Sequence, residues 1–213
     1  EDFDSLVSPW YPESPELELK AEELKTLFRV SEDERANFLH ARIMIVLISQ
    51  PPESGTEASF HYTWDSNISQ IIKTIISNGS PIRDNNRDTN TALKRPDYGF
   101  LVKKYCLFRG EEKAPDSSDD PKKELRVKLV DFSYQPLKYI LGYYAFGPNV
   151  NYVAITNMGG RITTEPLFAH GLRFKAERLA NIIHLIRLCS ALSWMSEQLE
   201  PRINPEFTAI ERY

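Results

Sequence analysis

The stretch from Arg95 to Lys113, RPDYGFLVKKYCLFRGEEK, decides the fold. Tyr98-Gly-Phe-Leu-Val102 and Tyr105-Cys-Leu-Phe108 are apolar, aromatic runs of strand length. Lys103-Lys104 between them leaves room for only a tight turn, so the spacing predicts a β-hairpin. Strand residues alternate faces, so Glu111 and Lys113 share one face and Glu112 takes the other. A hairpin also returns the end of its second strand to the start of its first, which sets Asp97 beside Glu111 with Lys113 close by. Two converging carboxylates repel unless a cation joins them. Hard oxygen ligands favour Mg²⁺ (or Mn²⁺), which draws the rest of its shell from water and substrate phosphate. A neighbouring lysine would orient or deprotonate the attacking water, or neutralise charge growing on phosphorus. An Asp followed downstream by Glu-x-Lys is common in charged chains. It gains weight here from Pro96 before the acid, from the clean hairpin between, and from Glu111 ending an apolar strand. The expectation is a divalent-metal site with Asp97 and Glu111 as ligands and Lys113 as the water- or phosphate-handling cation.

Working outward, Ser14-Pro15 reads as a helix start, with Leu17, Leu19, Leu24, Leu27 and Phe28 as its apolar face. Ser31-Glu-Asp-Glu34 is a capping-box pattern opening a second helix through Leu47, which Pro51-Pro52 ends. Residues 51–59 read as loop. Asp65 or Asn67 is expected to cap a third helix carrying Ile68, Ile71, Ile72, Ile75 and Ile76, stopped at Asn78-Gly79. Residues 79–95 read as a polar connection and 114–121 as a loop. Helices are expected from about Lys122 to Leu129 and around Leu137 to Tyr144. Asn151–Ile155 and Arg161–Thr164 read as two strands joined by a turn at Met158-Gly-Gly160, and a long helix follows from about Arg173 to Leu199. The sum is an α/β layer fold. Its parts are an N-terminal arm and helical lead-in over 1–50, one main domain over 51–200, and a tail over 201–213.

The chain has 213 residues, 41% of them hydrophobic, enough for one packed domain. Lys and Arg interrupt the apolar stretches before the roughly 20 residues that span a bilayer, so no membrane partner is expected. Two cysteines, Cys106 and Cys189, are too few for a disulfide framework and have no zinc-ligand spacing. The net charge of −4 argues against an overall basic nucleic-acid glove. The charge is uneven, however: residues 1–36 carry 11 acids and 4 bases, and the remaining 19 acids and 22 bases leave residues 37–213 at +3. No histidine pair has HExxH or triad spacing, and Gly159-Gly160 lacks the Lys-Ser/Thr of a P-loop.

Three strings, Arg95-Pro-Asp-Tyr-Gly-Phe100, Cys106-Leu-Phe-Arg-Gly-Glu-Glu-Lys113 and Tyr139-Ile-Leu-Gly-Tyr-Tyr144, resemble the nuclease-like domain of crinkler-type effector proteins over roughly residues 55–200. The resemblance implies a PD-(D/E)XK, restriction-endonuclease-like fold with a mixed sheet core of αβββαβ type, and metal-dependent DNA cleavage. Pro96-Asp97 falls on the first motif, Glu111 on the second acid and Lys113 on the lysine. It further implies a kinase-like domain downstream, secretion, and the nucleus of a host cell as destination. A catalytically degenerate module, serving protein interaction or regulating that kinase-like domain, is the alternative.

The superfamily also has a glutamate on a helix before the hairpin, for which Glu57 and Asp65 are the candidates. Glu112 and Gln135, four residues before Tyr139, are further accessory candidates, and His61 lies near Asp65. Arg87, Arg95, Lys103, Lys104 and Arg109 are candidate contacts to DNA phosphates, in a groove that Lys122, Lys123, Arg161, Arg173, Lys175 and Arg178 would extend.

Overall fold

The computed structural model describes residues 34–83, 95–103, 105–129 and 137–199. Six strands lie side by side in chain order: β1 (Gly79–Arg83), β2 (Tyr98–Val102), β3 (Tyr105–Lys113), β4 (Tyr139–Phe146), β5 (Asn149–Met158) and β6 (Arg161–Gly171). All neighbours run antiparallel except β3 and β4, which are parallel. A parallel pair needs a crossover, and helix α4 (Pro121–Val127) supplies it. The Asp120 side chain accepts the amides of Lys122 and Lys123 and so caps α4, with Pro121 in the first turn where its missing N–H costs nothing. The α/β class expected from the sequence is found, as a mixed sheet with helices on both faces.

One face of the sheet carries α1 (Glu34–Ile48), α2 (Glu57–Trp64), a π-helical turn (Asp65–Ser69), α3 (Gln70–Ile75) and the long α5 (Lys175–Leu199). Their apolar side chains, among them Val46, Trp64, Ile71, Ile182 and Leu192, close one core over Phe108, Tyr143 and Tyr152. Ile43, Val46 and Leu47 of α1 belong to that core, so the packing shows no break at residue 50. Arg178 ties the two ends together by donating to the carbonyls of Leu47 and Leu172. By length and composition α5 could cross a membrane, but Leu179, Ile182, Leu185 and Leu192 are buried, so here it is the core helix of the sheet.

The hairpin forms where the sequence places it, with one addition. A two-residue turn at 103–104 alone would set Asp97 opposite Gly110. The ladder instead shifts between Phe100 and Leu101, which pair with Phe108 and Cys106, so Leu107 is an extra residue in β3. Beyond that bulge Tyr98 faces Gly110, and Asp97 comes level with Glu111.

Several elements differ from expectation. Leu137–Tyr144 is not a helix; the segment from Tyr139 is β4, whose aromatic and branched side chains suit a pleated sheet. Gly142 is required there, since a β-carbon would lie 2.9 Å from the Arg109 carbonyl of the parallel neighbour. Gly79–Arg83, expected as polar connection, is the edge strand β1; its Pro81 and polar residues fit an edge and leave no alternating apolar pattern to read. Helix α2 begins at Glu57, inside the expected loop. Asp65 and Asn67 therefore lie within a helical run, in the π turn, where the Asn67 side chain donates to the Thr63 carbonyl and the Asn67 backbone carbonyl accepts from the Asn181 side chain. The later hairpin is longer than expected on both sides of Gly159-Gly160, whose φ angles of 61° and 84° make the turn. The helix read at 14–28 and the capping box at Ser31 lie outside the described residues.

Gly110 is one of the tightest points in the sheet. A β-carbon there would fall in the Tyr143 ring, 2.7 Å from its hydroxyl. That hydroxyl is hydrogen-bonded to buried Glu112, so the ring has no free end to move. Gly110→Ala is expected to cost about 1–3 kcal/mol from overpacking, to be read as a lower urea midpoint at unchanged slope.

Candidate metal centre

Alternation along β3 sorts the acidic end of the hairpin onto two faces. Phe108, Gly110 and Glu112 face the helical core beside Tyr98, Tyr143 and Tyr152, whereas Glu111 and Lys113 face α4. Asp97, one residue before core-facing Tyr98, lies on the α4 side with them. Both its carboxylate oxygens are engaged: Oδ2 accepts the Glu112 amide at 2.8 Å and Oδ1 accepts from Lys128 at 3.1 Å. The structure thus brings Asp97, Glu111 and Lys113 together, with Lys113 Nζ 3.5 Å from Asp97.

Two further groups complete the cluster, and sequence reasoning missed both. Glu124 and Lys128 stand one helical turn apart, with Lys128 at the C-terminal cap of α4. Their i, i+4 spacing was the available signal, but it is shared by any solvated helix face. Carboxylate oxygens of Asp97, Glu111 and Glu124 all lie within 4.8 Å of one another. The Lys128 ammonium reaches all three, at 3.1, 2.5 and 2.9 Å. Lys113 sits further out, 3.4 Å from Glu124 and 3.7 Å from Glu57. Of the two acids expected to serve from the helical run before the hairpin, Glu57 is therefore the one beside the site, and Asp65 is not.

Burial and charge act unequally on these groups. Burial, then the neighbouring Asp97, pushes the Glu111 carboxyl up to about 9, against the pull of Lys128. Burial would raise Asp97 too, but the Glu112 amide and the ammonium groups of Lys128 and Lys113 outweigh it and hold the carboxyl below its usual range. Burial works to deprotonate Lys113 and Lys128, yet their carboxylates prevail and keep both raised.

The set fits a hard divalent cation. The donors are carboxylate oxygens from three separate elements, already converged. Glu111 is fully buried, and its Oε1 has no hydrogen-bond partner. A buried polar atom without a partner is costly, and a cation joining the three acids would satisfy it.

On the opposite face, buried Glu112 receives Arg83 at 2.6 and 3.2 Å and the Tyr143 hydroxyl. Arg83 also donates to Asp65 at 2.7 Å and lies over the Tyr98 ring. Burial pushes the Glu112 carboxyl up, and Arg83 and Tyr143 pull it back. Asp65 and Glu112 thus belong to a second, structural cluster behind the first, and His61 lies 4.0 Å from Glu57.

The expected phosphate contacts scatter. Arg95 is exposed beside the site. Lys103 is in the hairpin turn, with a positive φ, at the far end of β2 and roughly 20 Å from Asp97. Arg109 is fully buried and so is not a surface cation, and Arg178 is likewise buried. Arg87, Lys104 and Gln135 lie outside the described residues.

No protein-family model and no solved structure matches the chain. Among curated proteins the chain is similar to crinkler effector protein 8 of Phytophthora infestans, with which it is 32% identical over 190 residues, 87% of its own length and 32% of that protein's.

Proposed function

We propose that this chain is a Mg²⁺- or Mn²⁺-dependent nuclease of the PD-(D/E)XK type that hydrolyses phosphodiester bonds of DNA. The observation that carries it is the convergence of Asp97, Glu111 and Glu124 around one cation position, with Lys113 at its rim. The order of helix, three antiparallel strands, crossover helix and parallel strand agrees with the αβββαβ core of that superfamily, with Asp97 just before the second strand and Glu111 on the third. Glu57 supplies a carboxylate from the preceding helix; Asp65, held by Arg83, does not face the site.

Asp97 and Glu111 would hold the metal, with Glu124 beside them. The ion supplies Lewis acidity toward a phosphoryl oxygen and a more acidic bound water. Lys113, kept protonated by Asp97, Glu124 and Glu57, suits charge neutralisation on the phosphate and orientation of the water better than proton abstraction. Arg95, exposed next to the site, is placed to meet a flanking phosphate.

The similarity to a crinkler effector supports an effector-type role, with delivery into a host cell, a nuclear target and an adjoining kinase-like domain as parts of the same proposal. A second reading is a degenerate module that no longer cleaves and regulates such a domain. It is favoured by Lys128, whose ammonium already fills the space between the three carboxylates.

A plasmid-nicking assay with Mg²⁺ or Mn²⁺ tests the nuclease reading. The parent should nick, and Asp97→Ala should lower the rate by about 10²–10³-fold or more, the scale for one charge-stabilising group in a preorganised site. A folded Asp97→Ala protein that nicks as fast as the parent would overturn it.

A further inference from the structure

We propose that Lys128 is a built-in cation that stands in for the metal, holding the carboxylate triangle together until a divalent ion displaces it, so that Lys128 gates loading of the site. The inference rests on the reading of Asp97 and Glu111 as metal ligands. Its basis is geometric. The three donors of the ammonium are spent on three carboxylates, at 3.1 Å from Asp97, 2.5 Å from Glu111 and 2.9 Å from Glu124. Those carboxyl groups come from the approach to β2, from β3 and from α4, so one ammonium joins acids from three elements. Without it, the three acids, within 4.8 Å of one another, would have no shared donor and would repel as they ionise.

A divalent ion would need the same oxygens at about 2.0–2.2 Å. The ammonium cannot keep its present contacts while such an ion sits among those oxygens, because two cations would then lie only a few ångströms apart. Lys113 is under no such constraint. It stands 3.4 to 3.7 Å from its acids, outside hydrogen-bonding contact, and can stay at the rim with the site loaded. The two lysines thus divide the work: Lys113 stays, and Lys128 vacates. Its side chain is 18% exposed and sits at the end of a two-turn helix, so it has a way out to water that fully buried Glu111 lacks.

The first test is Mn²⁺ titration, by loss of the free-ion electron paramagnetic resonance signal, on the parent, Lys128→Met, Lys128→Arg and Asp97→Ala. Lys128→Met removes the charge and keeps the bulk. It should bind Mn²⁺ at least about tenfold more tightly than the parent, as expected when one positive charge is taken from contact with the site. Lys128→Arg should bind no more tightly than the parent. If the parent binds Mn²⁺ and loses it in Asp97→Ala, but Lys128→Met binds no better than the parent, the gate is wrong and the metal site stands. If neither the parent nor Lys128→Met binds at millimolar Mn²⁺, both fall.

A second measurement uses the parent alone and does not depend on the variant folding. Lysine acetylation by a water-soluble ester, followed by mass spectrometry, should label Lys128 several-fold faster with saturating Mn²⁺ than in chelator. Labelling that Mn²⁺ leaves unchanged or slows would overturn the displacement.

Discussion

Arg83→Met is expected to destabilise the protein by about 3–5 kcal/mol, the cost of removing one partner from a buried ion pair. Glu112 is fully buried, and Arg83 gives it two hydrogen bonds while also holding Asp65 and stacking on Tyr98. Methionine fills much of the volume but leaves the carboxylate with only the Tyr143 hydroxyl as a side-chain partner. The penalty should shrink as the pH is lowered, because Glu112 can then take up a proton and lose its charge. Adding Glu112→Gln to Arg83→Met should restore much of the lost stability, since the pair is then replaced and not broken. Urea unfolding of the two variants and the parent decides it. A single variant within about 1 kcal/mol of the parent would mean that the pair contributes specificity and little stability.

The second expectation has the opposite sign. Glu111→Gln should stabilise the metal-free protein by about 1–3 kcal/mol at neutral pH and end divalent binding. Burial and Asp97 raise the folded-state value of Glu111 from 4.5 to about 9. The folded state then binds more protons than the unfolded state between those two values, so this group costs stability increasingly as the pH rises from about 4.5 to about 9. Glutamine has no proton to lose and carries no such slope. The gain of Glu111→Gln over the parent in chelator should therefore be small near pH 4.5 and largest above pH 8. A gain that is flat with pH would show that Glu111 keeps its charge in the folded protein, neutralised by Lys128. Saturating Mn²⁺ should reverse the ranking, because only the parent gains binding energy.

Much of the hairpin was legible because its information is local: two apolar runs, a turn, and alternation that separates Glu111 from Glu112. The juxtaposition of Asp97 and Glu111 was legible for an incomplete reason. A plain two-residue turn would have set Asp97 against Gly110, and the bulge at Leu107, for which no residue gives a signal, completes the alignment. Glu124 and Lys128 were hidden because an i, i+4 acid–lysine pair looks the same on a solvated helix as over a cluster of buried acids. Arg83 was hidden because β1 is a short edge strand with a proline and no apolar rhythm. β4 was misread as helix because its apolar run lacks strict alternation; a strand buried on both faces carries a continuous apolar run that periodicity does not separate from a helix. The choice between Glu57 and Asp65 needed the tertiary fold, which sends the first toward Lys113 and the second toward Arg83.

Glu111 and Glu112 stand back to back, and their obligations differ. Glu112 is tied to the architecture by Arg83, whereas Glu111 meets Lys128 on the α4 side. Under the proposed function, substitutions on the α4 side alone would therefore erase activity and leave a sound scaffold for other uses. A single-residue insertion or deletion in β3 beyond the bulge would do the reverse, turning Glu112 toward α4 and Glu111 into the core.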